Sequence, residues 1–422
     1  MTTVIKEAPK AIDQYLAAFR EQEPALCDGA PPWLARQRRA AIARFGEVGF
    51  PDARNEDWKF TSVAPILRAG LAPAPDTIEA PRAEGGLPAG VRLLGLREAL
   101  RVCPELVEPH LGQHADFRNH AFVALNTAFW NGGTFLYVPP GVAVERPIEI
   151  DHVLSDGAGW AWHRRALIVL GRGSQATVVE RFTGPDGAYL TNSVTEIVVG
   201  DGAVLDHYKA QQEGPEALHV AVTRAVLSRD SRFTTHYVGL GGALARNEAH
   251  AVFTGENGEA TVNGLYLARG GQHMDNFTVI DHARPHCASH ELYKGVLADK
   301  ARGVFNGKIF VRPGAQKTDA KQTNQALLLS DDATINTKPQ LEIYADDVKC
   351  THGATVGQLD ADQLFYLRAR GIGEEQARAL LTFAFANDII SRIRVNSLRD
   401  RLEHALLASS QLPPLADFED ER

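Results

Sequence analysis

Leu167-Ile168-Val169-Leu170-Gly171-Arg172-Gly173-Ser174 is a short apolar run that stops in a Gly-rich turn, and the shape recurs along the chain. Glu196-Ile197-Val198-Val199-Gly200-Asp201-Gly202-Ala203 repeats it, as do Ala225-Val226-Leu227-Ser228-Arg229-Asp230-Ser231 and Ala251-Val252-Phe253-Thr254-Gly255-Glu256-Asn257-Gly258. Ile309-Phe310-Val311-Arg312-Pro313-Gly314-Ala315 and Leu327-Leu328-Leu329-Ser330-Asp331-Asp332-Ala333 read as later copies. The turns fall at Gly171, Gly200, Ser228 and Gly255, a nearly even spacing that shortens slightly at each step, and the stretch from Gly255 to Arg312 makes two such periods. Short strands and turns that repeat without intervening helices predict stacked coils, a parallel β-helix. A β-sandwich or jelly roll uses strands of the same kind. The regular period, in a strand-and-turn texture that runs without a break to Gly357, favours the solenoid.

On either side of this core the periodicity changes to that of helices. Ile12, Tyr15, Leu16 and Phe19 recur at helical spacing, and Pro31-Pro32-Trp33 opens a second helix that runs toward Gly46 or Gly49. Residues 71–90 are rich in Pro and Gly and read as a linker. Beyond Gly357, Asp360 is placed to cap a helix that Gly371 ends, and Glu374-Glu375 starts another carrying Leu380, Leu381 and Phe385. A third helix is expected from about Asp388 to Ala408, before an acidic, Pro-containing tail expected to be mobile. The expected organisation is a helical region over 1–105, a β-helix core over 106–358 and a helical region over 359–422.

The chain has 422 residues and a net charge of −8, which argues against a nucleic-acid binder. No apolar run reaches the ~20 residues of a membrane span, and the N-terminal stretch from Met1 to Lys10 holds no apolar signal core. Cys27, Cys103, Cys287 and Cys350 are far apart, so free thiols in a reducing cytoplasm are expected. Gly171-Arg172-Gly173-Ser174-Gln175-Ala176 mimics a dinucleotide fingerprint, but the strand-like Thr177-Val178-Val179-Glu180-Arg181-Phe182 follows it where a helix is required. The only Gly-Lys pair, Gly307-Lys308, is followed by Ile309, so there is no phosphate-binding P-loop, and no Gly-x-Ser-x-Gly elbow occurs.

Two constellations hold metal-ligating residue types. Cys350-Thr351-His352 puts a thiol and an imidazole two positions apart on a predicted strand, on one face and roughly 6–7 Å apart. Both could reach one iron or zinc ion, but two ligands do not complete a shell, so a partner would supply the rest. Packing of a strand cysteine beside a surface histidine is the plainer reading. His273, His282, His286 and His290, with Cys287 among them, form the second cluster. Along a strand His282, His286 and His290 would spread over about 13 Å, so surface histidines around a buried thiol are expected there.

Several stretches resemble the SufB/SufD family of the Suf iron–sulfur cluster assembly system, on its SufD side. They include Asn263-Gly264-Leu265-Tyr266, Val304-Phe305-Asn306-Gly307-Lys308-Ile309, Pro339-Gln340-Leu341-Glu342-Ile343, Asp346 through Gly357, and Leu364 through Ile372. Together they cover roughly 255–390 in continuous order, and Glu56-Asp57-Trp58-Lys59-Phe60 is a weaker match further upstream. SufB carries an acidic-His-acidic-Ala pattern where this chain has Cys350-Thr351-His352-Gly353-Ala354. The resemblance implies a right-handed parallel β-helix between two helical regions. It also implies a non-catalytic scaffold that pairs with SufB, binds the ATPase SufC and shares a transient iron–sulfur cluster. By the same resemblance His352, with Cys350 as its neighbour, lies at the SufB interface. The C-terminal helices hold SufC, with Phe365, Tyr366, Leu380, Leu381 and Phe385 as candidate contacts or their support. The exposed strand edges of a solenoid leave pairing with a second copy open as well. The rival reading is a stand-alone β-helix enzyme acting on carbohydrate, which would need an open groove along the solenoid.

Overall fold

The computed structural model describes residues 2–75, 86–154 and 158–410. The middle of the expected linker and the acidic tail lie outside the described residues. The repeat folds as its period requires. One sheet stacks Gly133–Val138, Trp160–Leu170, Leu190–Val199, Leu218–Leu227, Leu244–Phe253, His273–His282, Arg302–Val311 and Thr334–Ile343 in parallel. The second stacks Ile148–Val153, Gln175–Thr183, Val204–Gln212, Arg232–Gly239, Glu259–Ala268, Ala288–Leu297, Asp319–Leu328 and Lys349–Gly357. The chain alternates between the sheets, so successive sequence copies lie on one another: Leu167 pairs with Glu196, Glu196 with Arg224, and Arg224 with His250. The turns after most strands of the first sheet hydrogen-bond to the coil before, as Gly200 N–H does to the Leu170 carbonyl at 2.9 Å. A Cβ at Gly200 would stand 2.7 Å from that same oxygen, which is why glycine occupies this corner.

The structure fills the gap in the repeat. Between the turns at Gly255 and Arg312 a further corner falls at Ala283, after the strand His273–His282. Its ending, Ile280-Asp281-His282, is polar and hides the pattern. Leu327-Leu328-Leu329-Ser330, expected to continue the same series, instead ends a strand of the second sheet and belongs to the other corner. The parallel stack also begins at Gly133, later than the expected start at 106.

Nine helices flank the solenoid among the described residues: α1 (Thr2–Cys27), α2 (Pro32–Val48), α3 (Ala64–Ala69), α4 (Leu96–Val102), α5 (Pro104–Val107), α6 (Ala121–Phe129), α7 (Ala361–Ala369), α8 (Glu374–Ile390) and α9 (Asn396–Ser410). None is long and apolar enough to cross a membrane. Tyr15 of α1, Phe45 of α2, and Phe122 and Phe129 of α6 pack on Ala161, Leu190, Leu218 and Leu244, the outward face of the first sheet. At the other end of the chain Asp360 caps α7, accepting from the N–H groups of Asp362 and Gln363 at 2.8 and 3.0 Å. Gly371 follows with φ 89°, as its proposed stop role requires. The third helix starts at Asn396, not Asp388, because Asp388–Ile390 complete α8.

These C-terminal helices do not cap the solenoid end, as a three-helix cap would. Ile389, Ile390, Ile393, Leu398, Leu402 and Leu406 lie against Val179, Tyr208, Val238, Leu265 and Val296 on the outward side of the second sheet. The last coil is therefore left open.

Candidate functional site

Thr334–Ile343 and Lys349–Gly357 are the final strands of their sheets, each paired on one side only. Such strands present a row of unmatched backbone donors and acceptors. The register assigns the inward positions of this edge. Cys350 pairs with Ala320 and His352 with Gln322, and both of those partners are buried inside the solenoid. Cys350 and His352 therefore share the inward face, as their spacing predicted, but among the described residues no further coil covers them. Cys350 is half-buried and packs with Leu341, Ala345 and Val348 against the interior core, whereas His352 is exposed. Burial pushes the Cys350 thiol above its ordinary range, against an opposing hydrogen bond from the Ala320 backbone, so the neutral thiol prevails at neutral pH. The turn before the strand is tied to the previous coil: Gln316 Nε2 donates to Asp346 at 2.8 Å, and Asp347 N–H donates to Gln316 Oε1 at 2.9 Å.

Beneath His352 runs an inward column that sequence reading did not single out. His352 pairs with Gln322, and Gln322 with Glu291. Gln322 Nε2 donates to Glu291 Oε2 at 2.7 Å, and both side chains are buried. Burial raises the Glu291 pKa to about 7, with the Gln322 hydrogen bond opposing it. Further inside, Glu180 takes hydrogen bonds from His152 at 3.1 Å and His207 at 2.9 Å. The available signal was polar residues at alternate positions of otherwise apolar strands, such as Glu180 between Val178 and Phe182.

The histidine cluster does not form a site. His282 is buried inside, where its Nε2 meets Ser289 Oγ at 2.8 Å. His286 sits exposed on a corner with φ 60°, His290 is exposed, and Cys287 belongs to the interior core. His273 faces the N-terminal region and meets Thr61 Oγ1 at 2.9 Å. The expectation of surface histidines thus fails for His282, which the alternation of its strand turns inward, and holds for His286 and His290. Among the described residues no group of three or more His, Cys, Asp or Glu side chains is arranged to hold a metal ion. Cys350 and His352 remain a pair.

The candidate SufC contacts divide. Phe365 and Tyr366 on α7 are 74% and 56% exposed, and α7 buries no residue. Leu380 and Leu381 are half-buried on α8. Phe385 packs on the second sheet beneath Lys294, whose Nζ lies 4.6 Å from the ring centroid and pairs with Asp388 at 2.7 Å. It supports the helix rather than presenting a surface. A cleft of about 320 Å³ lined by Leu327, Thr355, Gly357, Gln363, Leu381 and Phe385 separates α7–α8 from the last strand. The same strand that carries Cys350 and His352 leads within a few residues into the Asp360 cap.

Glu56-Asp57-Trp58 clasps the outward face of the first sheet: Glu56 pairs with Lys338 and Asp57 with Lys308. Trp58 stacks on Phe122, and Arg246 lies 4.0 Å from its ring centroid.

The chain matches two family models in sequence, the SUF system FeS cluster assembly SufBD core domain over residues 153–385 and the SufBD protein N-terminal region over 9–73 and 75–150. It is 32% identical to the iron-sulfur cluster assembly protein SufD of Escherichia coli over 87% of this chain and 90% of that protein. An iron-sulfur cluster assembly SufBD family protein of Synechocystis is 30% identical, over 94% of this chain and 95% of its own length. SufD of Bacillus subtilis is 31% identical over 74% of this chain and 72% of its own.

Proposed function

The chain belongs to the SufBD family of iron–sulfur cluster assembly proteins, and from that premise we propose that it is a non-catalytic scaffold whose open solenoid end is its half of a cluster-assembly site. SufB supplies the facing half. The transient cluster is cargo at this seam, with His352 as this chain's ligand and Cys350 as its neighbour. The observation that carries the reading is the uncovered last coil: two ligand-type side chains on an inward face that nothing among the described residues closes. An edge strand with free backbone groups suits β-pairing with a second solenoid, and a two-ligand set suits completion by a partner.

SufC docks on α7 and the adjoining part of α8, through Phe365, Tyr366, Leu380 and Leu381. What supports this is an α7 with no buried residue and two large exposed rings. Displacement of α7 by the ATPase would pull directly on Lys349–Gly357, because that strand runs into the α7 cap. The rival carbohydrate enzyme has less to stand on, since helical regions cover the outward faces of both sheets.

The test is cluster reconstitution in the complex with SufB and SufC. His352→Ala should leave assembly of the complex intact and cut cluster absorbance several-fold. Cys350→Ser should do less harm, because the thiol is protonated and engaged in packing. Wild-type cluster yield from an intact His352→Ala complex would remove the residue from the mechanism.

A further inference from the structure

A cavity of about 330 Å³ lies where the N-terminal region meets the first sheet, and Trp58, His114, His120, Arg224, Glu248 and His250 line much of it. Most of the charged groups around it pair directly, and Arg246 is shared between Glu248 and Asp275. Glu248 accepts from Arg246 Nε at 2.8 Å and from His120 and His250, each at 3.1 Å. Asp57 pairs with Lys308, and Asp116 with Arg118. Arg224 stands between Glu196 and His250 in the register of the sheet. Glu196 is already taken by Arg165 and by the N–H groups of Gly112, His114 and Ala115. Among the described residues Arg224 makes no direct ion pair and its Nε is buried without a hydrogen-bond acceptor, while Glu248 and Asp116 act on its charge from a longer distance.

His250 adds a second unmet group. Its Nε2 serves Glu248, so as a neutral imidazole it donates there and keeps a lone pair on Nδ1. That Nδ1 is buried and unpartnered, as is His114 Nε2. Burial pulls the His250 pKa down to about 3, consistent with the neutral ring. A guanidinium without a hydrogen-bonded counter-ion suits an oxyanion, which its planar fork holds through two parallel bonds. A lone pair beside it calls for a donor on the same ligand.

We propose that this cavity binds a small oxyanion that also carries a hydroxyl group, a hydrogen phosphate or a hydroxycarboxylate, with Arg224 pairing its charge and His250 Nδ1 accepting from its hydroxyl. The ligand would bridge the Glu56-Asp57-Trp58 clasp and the solenoid, at the kind of seam where small-molecule sites form.

The test is calorimetric and thermal titration of the full chain with inorganic phosphate, glycolate, acetate and sulfate near pH 7. Saturable one-to-one binding of phosphate or glycolate is expected, and which of the two binds identifies the source. Acetate and sulfate, which lack the hydroxyl, should bind about tenfold more weakly, a loss of one hydrogen bond to a buried acceptor. Arg224→Met should abolish the response, and Arg224→Lys should weaken it about tenfold. In anion-free buffer Arg224→Met should melt no lower than wild type, since it removes a largely desolvated charge that makes no direct ion pair. Four results would overturn the proposal: no saturable binding by any of the four anions, as expected of a cavity filled by water alone; unchanged binding in Arg224→Met; a lower melting temperature of that variant without anion, which would make Arg224 a structural residue; or sulfate binding as tightly as phosphate, which would dismiss the His250 contact.

Discussion

Glu291→Gln probes the interior directly below the open end. Glu291 is buried in the column that leads through Gln322 to His352, and among the described residues no cation stands against it. Burial raises its pKa from 4.5 to about 7. An unfolded glutamate ionises first, so between those values the folded chain holds a proton that the unfolded chain has lost. Its contribution to stability is fully present below pH 4.5 and is lost as pH rises through about 7. The whole interval is worth about 3 kcal/mol, of which roughly 2–3 kcal/mol falls between pH 5 and pH 8. Glutamine keeps the shape of the neutral acid and an acceptor for Gln322, but it cannot ionise. The variant should therefore gain on wild type as pH rises. With an unfolding entropy of about 0.9 kcal/mol/K for a chain this long, the melting temperature difference, variant minus wild type, should be about 3 °C larger at pH 8 than at pH 5. Other titrating groups cancel in this double difference. The assay is paired calorimetric scans of both proteins at the two pH values. A difference that stays constant across the range would show that Glu291 is not held as a buried neutral acid.

Trp58→Ala should cost about 3–5 kcal/mol, because the ring is buried between Phe122 and Arg246. Limited proteolysis should then release the N-terminal region before the solenoid is cut, and an unchanged digestion pattern would argue against the clasp. Glu180→Gln should destabilise the chain by about 1–3 kcal/mol at neutral pH, since one amide oxygen cannot serve both His152 and His207. Burial alone would raise the Glu180 pKa, but the two histidines hold it well below its ordinary value. The stability it gives is present above pH 4.5 and is lost in acid, so denaturant titrations of variant and wild type should converge as pH falls. Phe365→Asp with Tyr366→Asp should leave stability within about 0.5 kcal/mol of wild type, because both rings are exposed, and should abolish SufC capture. Retained capture would move the dock elsewhere. Deleting residues 359–422 is the poorer test: it would bare Val179, Tyr208, Val238, Leu265 and Val296 and unsettle the solenoid itself.

The repeat was legible in the chain because each coil is a local event: two strands and two corners, with glycine where a side chain would strike the coil below. The helix boundaries at Pro32, Asp360 and Gly371 were legible for the same reason, since caps and stops act over a few residues. The shared face of Cys350 and His352 followed from strand alternation alone.

What only the tertiary structure decided is what lies against what. The sequence marks Leu398, Leu402 and Leu406 as one apolar stripe. That stripe would suit a cap over the solenoid end as well as a flank, and packing chose the flank, which leaves Cys350 and His352 uncovered. Alternation likewise makes two faces without saying which is inside, so His282 was expected at the surface and is buried. Arg224 and His250 are distant along the chain and become neighbours only through the register of the coils. Hydrophobic pattern records that a residue leaves water, but whether a charge finds its partner depends on which coil stacks above it and which helix closes over both.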